Sequence, residues 1–366
     1  MIEKPELKRG WTTGSCATAA AVAAFCALAE GAVPTKVVIT LPRGETVEFN
    51  IERLSQSTAC GEWAEAMVIK DAGDDPDVTH GARIVVKLWW GVAGSGISFR
   101  AGNGVGLVTR PGLALAVGEP AINPVPRMMI TQNLVATAAR LAVTRALDLV
   151  VEVAVVDGER LAEQTLNSRL GIVGGLSILG TTGIVIPYSC SAWIHSIQRG
   201  VDVAVASGAR HIAATTGRSS ERAIQVLYGL PDFAMIEMGD FVGGFLKYLR
   251  QNPATLERIQ RITIGGGLGK MVKLAQGNLD LHSKRSRVDF AQLSQWLREA
   301  GIEFTEPQEP PTAAAYFSAL AQTNPPAADG LRQEVSRRAV QIVRDTLDDP
   351  NAPLQLEVLI PDIHRG

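Results

Sequence analysis

Four stretches of this chain bring together groups that could do chemistry, and none of them is a reactive triad. Residues 167–189 read NSRLGIVGGLSILGTTGIVIPYS, with five glycines at Gly171, Gly174, Gly175, Gly180 and Gly183, and with Thr181 and Thr182 among them. Glycine lets backbone N–H groups approach a ligand, because no Cβ stands in the way. The stretch therefore reads either as a small-molecule site or as a tight turn between two short β-branched strands. Gly265-Gly266-Gly267-Leu268-Gly269-Lys270 follows a strand-like run and precedes a helical one. That order is the phosphate- and nucleotide-site arrangement of α/β proteins. Met271 stands where the Walker pattern needs Ser or Thr, which argues against an NTPase. Asp71, Asp74, Asp75 and Asp77 lie within seven residues, followed by His80. They could hold a hard cation, but they miss the calcium-loop spacing, and Asp-Pro with Gly favours a plain turn. Finally Thr12, Thr13 and Ser15 head an alanine-rich helix. A helix N-terminus with hydroxyls can bind an anion, or simply cap a buried helix.

The elements that must position these groups follow from composition and periodicity. The alanine-rich helix runs to about residue 30, where Gly31 is a natural stop. Residues 36–41 and 45–51 read as strands around a Pro42-Arg43-Gly44 turn, with further strands at 64–70, 82–90 and 150–156 and a helix at 130–147. Residues 118–127 hold three prolines in seven residues and read as rigid and extended, the wall of a cleft. The G-x-G-x-G run at 102–106 lacks the dinucleotide spacing. Later segments read as helix 191–199, strand 201–207, strand 212–218, helix 221–229, strand 231–238 and a helix opened by residues 239–244. Residues 306–329 read as a surface excursion, 331–347 as an amphipathic helix and 354–360 as a last strand. The expected architecture is an α+β domain over 1–150 and an α/β domain with a mostly parallel sheet and glycine-rich loops over 151–366. The boundary between them is loose.

Bulk properties narrow the function. The 366 residues are 46% apolar and 20% charged, enough for a substantial core. A net charge of −2 argues against a general nucleic-acid binder. Cys16, Cys26, Cys60 and Cys190 include no C-x-x-C pair, hence no zinc ribbon or dithiol motif. Residues 1–10 are polar, without a signal-peptide run, and the apolar residues 17–29 are too few to span a bilayer. A cytoplasmic location with no membrane partner follows as the expectation, and a homo-oligomer is compatible with it.

Six blocks then follow in order between residues 9 and 283: RGWTTGSCATAAAVAA, DAGDDPDVTHG, PGLALAVGEPAINPVPR, NSRLGIVGGLSILGTTGIVIPYS, MGDFVGGFL, and IGGGLGKMVKLAQG with His282-Ser283 after it. Together they resemble the cobalt-precorrin-5B C(1)-methyltransferase family (the CbiD type) of cobalamin biosynthesis. Two departures are mild: Trp11 where Tyr is common, and Cys190 where the family more often has an acidic residue.

The resemblance implies transfer of a methyl group from S-adenosyl-L-methionine to carbon 1 of a cobalt-bound, ring-contracted tetrapyrrole, giving cobalt-precorrin-6A. The cobalt belongs to the substrate, so no protein-bound metal is required. Displacement at a sulfonium needs alignment more than a protein nucleophile, and a dry site helps as the charge disappears. On that implication the cofactor lies against Gly174, Gly175, Gly180, Thr181, Thr182 and Gly183, with Asp240, Gly265, Gly266 and Gly267 nearby. Arg110, Arg127 and Arg169 are candidates for the substrate's carboxylates, with Thr12, Thr13 and Ser15 as further donors. Asp75, His80 and His282 are the candidates for a base. The rival reading is a non-enzymatic tetrapyrrole-binding carrier that uses the same glycine loops.

Overall fold

The computed structural model describes residues 7–31, 34–56, 62–303, 312–348 and 354–361. Cys60, most of the polar start and residues 306–311 of the expected excursion lie outside them. The chain forms two compact units, residues 1–189 and 190–366.

In the first unit, β1 (Gly10–Trp11) leads into α1 (Thr13–Glu30), followed by the antiparallel pair β2 (Lys36–Thr40) and β3 (Thr46–Asn50). Then come β4 (Arg53–Gln56), β5 (Trp63–Ile69), β6 (Arg83–Trp90), β7 (Ile97–Ala101), β8 (Gly104–Val105) and β9 (Leu107–Val108). They are followed by α2 (Pro124–Arg140), β10 (Leu149–Val155), α3 (Gly158–Ala162), β11 (Ile172–Val173), β12 (Gly175–Leu176) and β13 (Ile184–Val185). The main sheet has the order β4-β5-β6-β10-β7, antiparallel except for β10 beside β7. Alternation fixes its buried face: Ala64, Ala66 and Val68 on β5, Ile84, Val86 and Leu88 on β6, Leu149, Val151 and Val153 on β10. Helix α1 lies in the core with that face; 16 of its 18 residues are buried. Small side chains explain this: a cylinder of alanines can be approached from every side. The helix is long and apolar enough to cross a membrane, but 89% of it is buried inside the protein.

Two expectations change here. The proline segment is not extended throughout, because α2 starts at Pro124. A first helical residue needs no N–H partner, and proline's φ already suits it. Strand β10, expected to open the second domain, is instead an inner strand of the first sheet, bonded on both edges. The compact units accordingly divide at Ser189/Cys190, later than the expected region.

The second unit contains α4 (Cys190–Ala206), β14 (His211–Thr215), α5 (Arg218–Tyr228), a 3₁₀ turn at Asp232–Ala234, β15 (Met235–Glu237), α6 (Val242–Gln251), α7 (Pro253–Leu256) and β16 (Arg261–Gly265). It continues with α8 (Leu268–Ala275), α9 (Phe290–Glu299), α10 (Ala313–Thr323), α11 (Pro325–Leu347) and β17 (Gln355–Leu359). Its sheet has the order β15-β14-β16-β17 with every pairing parallel. Residues 201–207, expected as a strand, continue α4. Ile197, Val201, Ala204 and Val205 are buried at helical spacing, which outweighs the local V-D-V-A-V alternation. The expected excursion carries α10, because Tyr316, Phe317 and Leu320 recur at helical spacing and are buried.

Candidate functional site

Three of the sequence blocks meet in the first unit as one interlocked junction. Strand β1 pairs with β13, Gly10 opposite Val185 and Trp11 opposite Ile184. On its other side Trp11 N donates to Asp71 O at 2.7 Å, and Asp74 N to Lys8 O at 3.0 Å. The contact is so close that a Cβ on Gly10 would fall 2.0 Å from the Ala72 carbonyl carbon. At the start of α1, Thr12 caps the helix through Ser15 N, and Thr12 N donates to Gly183 O at 3.1 Å. Thr13 and Leu179 exchange bonds: Leu179 N donates to Thr13 Oγ1 at 2.9 Å, and that hydroxyl donates to Leu179 O at 3.2 Å. Ser15 Oγ donates to Gly183 O at 2.6 Å. Gly183 has φ +84°, the left-handed backbone that turns its carbonyl toward Ser15. The three hydroxyls are at most 6% exposed.

The acidic turn belongs to the same junction. Asp71 accepts from Lys8 Nζ at 2.6 Å and from Gly73 N at 2.8 Å. Asp77 accepts from the buried Lys70 at 2.7 Å and from both the N–H and the hydroxyl of Thr79. Burial pushes the Asp77 carboxyl upward, but Lys70 and Thr79 together outweigh it and hold it below the ordinary carboxylate range. Asp75 Oδ1 accepts from Tyr188 N at 2.8 Å, and Tyr188 has φ +56°. His80 is exposed and accepts from Ala72 N through Nδ1 at 3.1 Å. These bonds tie the aspartates into the turn itself; among the described residues no cluster of His, Cys, Asp and Glu is arranged to hold a metal. Cys16, at 0% exposure beneath the junction, is pushed up to about 12 by burial, so it is protonated at neutral pH and inert as a nucleophile.

The rest of the first unit's candidates divide. Gly175 is buried, and a Cβ there would come within 2.2 Å of the Gly104 carbonyl carbon across the β12–β8 pair. Gly180 faces Thr12, which a Cβ would meet at 2.3 Å. Thr182 Oγ1 bonds the Ile184 backbone on both sides. Gly174 and Thr181 are exposed, and a Cβ on Gly174 would meet nothing within 4 Å. Arg127 clamps the proline loop, donating to Ile122 O at 2.7 Å and Pro120 O at 3.1 Å and pairing with Glu119 at 2.7 Å. Arg110 is half-buried, its stem against Gly171 in the segment that also carries the half-buried Arg169.

The second unit presents a different edge. In the order β15-β14-β16-β17 the chain direction of assembly reverses between β14 and β16. Such a switch point leaves a crevice at the carboxyl ends of the strands, where α/β proteins bind ligands. Helices α5 and α8 leave this edge on opposite faces: Ile224 of α5 packs with Ala213 and Met235, while Met271 and Val272 of α8 pack with Ile262 and Ile264. Both helices start at a glycine, Gly217 and Gly267, with no side-chain cap, and a Cβ at either would meet nothing within 4 Å. Lys270 ties the loops together, donating to Thr216 O at 3.0 Å. Its Nζ also forms an ion pair with Asp240 Oδ1 at 3.0 Å. Gly265 and Gly266 are buried against Ile224 and Met271. His282 is exposed, and its Nδ1 accepts from Lys284 N at 3.2 Å.

Thus Asp240, Gly265, Gly266 and Gly267 share one edge of the second unit, while residues 174–183 belong to the first. Sequence reasoning passed over Thr215, Thr216, Gly217, Glu237 and Lys270. For Thr215, Thr216 and Gly217 the signal was available in IAATTGR, a strand running into a glycine that opens a helix, the same pattern that singled out residues 261–270, Lys270 among them.

A glycine-lined switch point of this kind is where α/β proteins bind small molecules. The CbiD family model matches residues 2–187. Proteins named cobalt-precorrin-5B C(1)-methyltransferase are similar over nearly the whole chain. The one from Paramagnetospirillum magneticum is 51% identical, covering 99% of this chain and 97% of that protein. The one from Rhodospirillum rubrum is 52% identical, covering 98% and 96%. A crystal structure titled cobalamin biosynthesis protein (cbiD), from Archaeoglobus fulgidus, is 29% identical over 81% of this chain and 85% of that one, with a TM-score of 0.41. The chain belongs to the CbiD family.

Proposed function

We propose that this protein transfers the methyl group of S-adenosyl-L-methionine to carbon 1 of cobalt-precorrin-5B, giving cobalt-precorrin-6A. The observation that carries this reading is identity of 51% to a protein of that name across 99% of the chain. The donor supplies an electrophilic methyl on a sulfonium, and the conjugated macrocycle supplies the nucleophilic carbon. The chain's own residues then bind and orient, which agrees with its inert Cys16 and with carboxylates engaged in turn structure.

The donor is assigned to the switch-point edge with Asp240, Gly265, Gly266 and Gly267. Residues 174–183 are a weaker choice, because Thr12, Thr13 and Ser15 already occupy much of that loop's backbone. Arg110 and Arg169 are assigned to substrate carboxylates, which a guanidinium can pair in bidentate fashion. Arg127 is kept as a third candidate, although three of its nitrogens hold the proline loop. Incubating the purified protein with S-adenosyl-L-methionine and cobalt-precorrin-5B without oxygen tests the reaction. The expected result is a mass gain of one methyl with release of S-adenosylhomocysteine. Corrinoid binding that is indifferent to the donor, with no mass gain, would instead describe a carrier.

A further inference from the structure

We infer that the switch point of the second unit holds the ribose of the methyl donor through Glu237, with Thr215 as the residue that positions its carboxylate. The inference rests on the donor reading above and adds to it the group that recognises the sugar.

The register of the sheet sets the geometry. Thr215 ends β14, and its partners are Glu237, which ends β15, and Gly265, which ends β16. Residues paired in a parallel sheet present their side chains to the same face. For Gly265 that face is known: a Cβ there would meet Ile224 and Ser220 of α5. Thr215 and Glu237 therefore stand side by side beneath the first turn of α5, at the carboxyl edge of the crevice. Thr215 is 0% exposed, and its Oγ1 has no hydrogen-bond partner. Buried hydroxyls are almost always bonded, so an open one paired in register with Glu237 is poised to donate to that carboxylate once a ligand fixes it. Glu237 is half-buried, and among the described residues no hydrogen bond or ion pair engages its carboxylate.

Spacing agrees with this placement. Gly217 forms the first strand-to-helix turn of the parallel unit, and Glu237 lies 20 residues later (237 − 217) at the end of the neighbouring strand. In doubly wound folds an acidic residue at that interval accepts hydrogen bonds from the ribose hydroxyls of a nucleotide. A carboxylate there takes a neutral diol and repels a phosphorylated ribose. The open Gly217 leaves the first N–H groups of α5 facing the same edge, where the donor's own α-carboxylate finds them. With the diol bound to Glu237, the Thr215 hydroxyl donates to the carboxylate beside it.

Calorimetric titration with S-adenosylhomocysteine, and with an analogue lacking both ribose hydroxyls, tests the pair. Glu237→Gln is expected to weaken S-adenosylhomocysteine at least tenfold and to leave the dideoxy analogue unchanged, with the unfolding temperature preserved. Thr215→Val is expected to raise the unfolding temperature of the free protein, since it removes an unbonded hydroxyl, yet to weaken S-adenosylhomocysteine severalfold. In the double variant the Val substitution adds no further loss of affinity. A merely structural threonine would not move stability and affinity in opposite directions. If wild type binds S-adenosylhomocysteine and Glu237→Gln keeps both the affinity and the preference for the diol, the ribose lies elsewhere and this inference fails, while the methyl-transfer reading stands. If wild type binds neither ligand, the donor reading itself fails and takes this inference with it.

Discussion

The glycine loops of the two units are alike in composition and opposite in surroundings. In the first, residues 179–183 are bonded to the start of α1, and the positions of Gly175, Gly180 and Gly183 are crowded by Gly104, Thr12, Leu41 and Ser15. In the second, Gly217 and Gly267 open helices into empty space, beside a buried threonine hydroxyl that lacks a hydrogen bond. Glycine serves close backbone packing in the one and leaves room in the other. Composition cannot tell these uses apart, because both require only that Cβ be absent. What separates them is whether a polar partner from elsewhere in the fold has arrived.

The sharpest break between the loops comes from adding a side chain to each. Gly175→Leu drives a Cβ to within 2.2 Å of the Gly104 backbone, which cannot rotate away. The expected loss is about 3 kcal/mol or more, or roughly 6–12 °C in the unfolding transition, measured by calorimetry. Gly267→Ser puts a good N-cap residue into open space, so its transition should stay within about 0.5 kcal/mol of wild type. Donor affinity should nevertheless fall, as measured by titration with S-adenosylhomocysteine. Equal melting of the two variants would erase the distinction.

Next in size is the lock itself. Ser15→Ala removes the 2.6 Å bond to Gly183 O from a site of 0% exposure. The Gly183 carbonyl keeps the Thr12 N–H, so the loss is that of one net hydrogen bond, about 1 kcal/mol. Hydrogen exchange should show the Gly14 amide, bonded to Leu179 O at 3.0 Å, losing protection. Amides at the edge of the second unit's sheet should keep theirs.

Acid probes the charged side of the same junction. Lys8 and the Gly73 N–H hold Asp71 below the ordinary carboxylate range. Asp77, though burial works against it, is also held below that range by Lys70 and Thr79. A carboxyl whose folded pKa is depressed stabilises the fold above its unfolded pKa, and that stability is lost as pH falls through the folded value. Protection of the Trp11 amide, bonded to Asp71 O at 2.7 Å, should therefore hold at pH 5 and decline once the pH falls below the ordinary aspartate value of about 3.9. A decline already complete at pH 5 would mean that these carboxylates do not hold the turn.

Much of this organisation was legible before any coordinates. Strands β2, β3, β5, β6 and β10 fall where alternation or β-branched runs put them, and α1 ends at Gly31. The misread segments are those where a tertiary partner decides. Residues 201–207 alternate like a strand but complete a helix whose buried stripe begins at Ile197. Pro124 reads as a breaker until it is seen to be a helix start. For the site, composition found both glycine loops but could not foresee that the hydroxyls of Thr13 and Ser15 would be taken up by residues more than 160 positions away. Nor could it align Thr215 with Glu237, since that register exists only once the sheet has formed.

The smallest expected effect concerns Asp75, whose place in the acidic turn suggests a base. Its Oδ1 accepts from Tyr188 N at 2.8 Å, holding a residue at the left-handed φ of +56°. A non-glycine residue persists in that region only where its surroundings fix it. Asparagine keeps a carbonyl oxygen in the same position and can still accept that bond. Asp75→Asn should therefore leave stability within about 0.5 kcal/mol and methyl transfer within twofold. Asp75→Ala, which loses the acceptor, should destabilise the turn by about 1 kcal/mol while turnover of the folded fraction persists. A base would give the reverse pattern, with Asn folding normally and turnover collapsing. That outcome would make the first unit's turn part of the chemistry, and it would undo the division between a junction that is structural and an edge that binds.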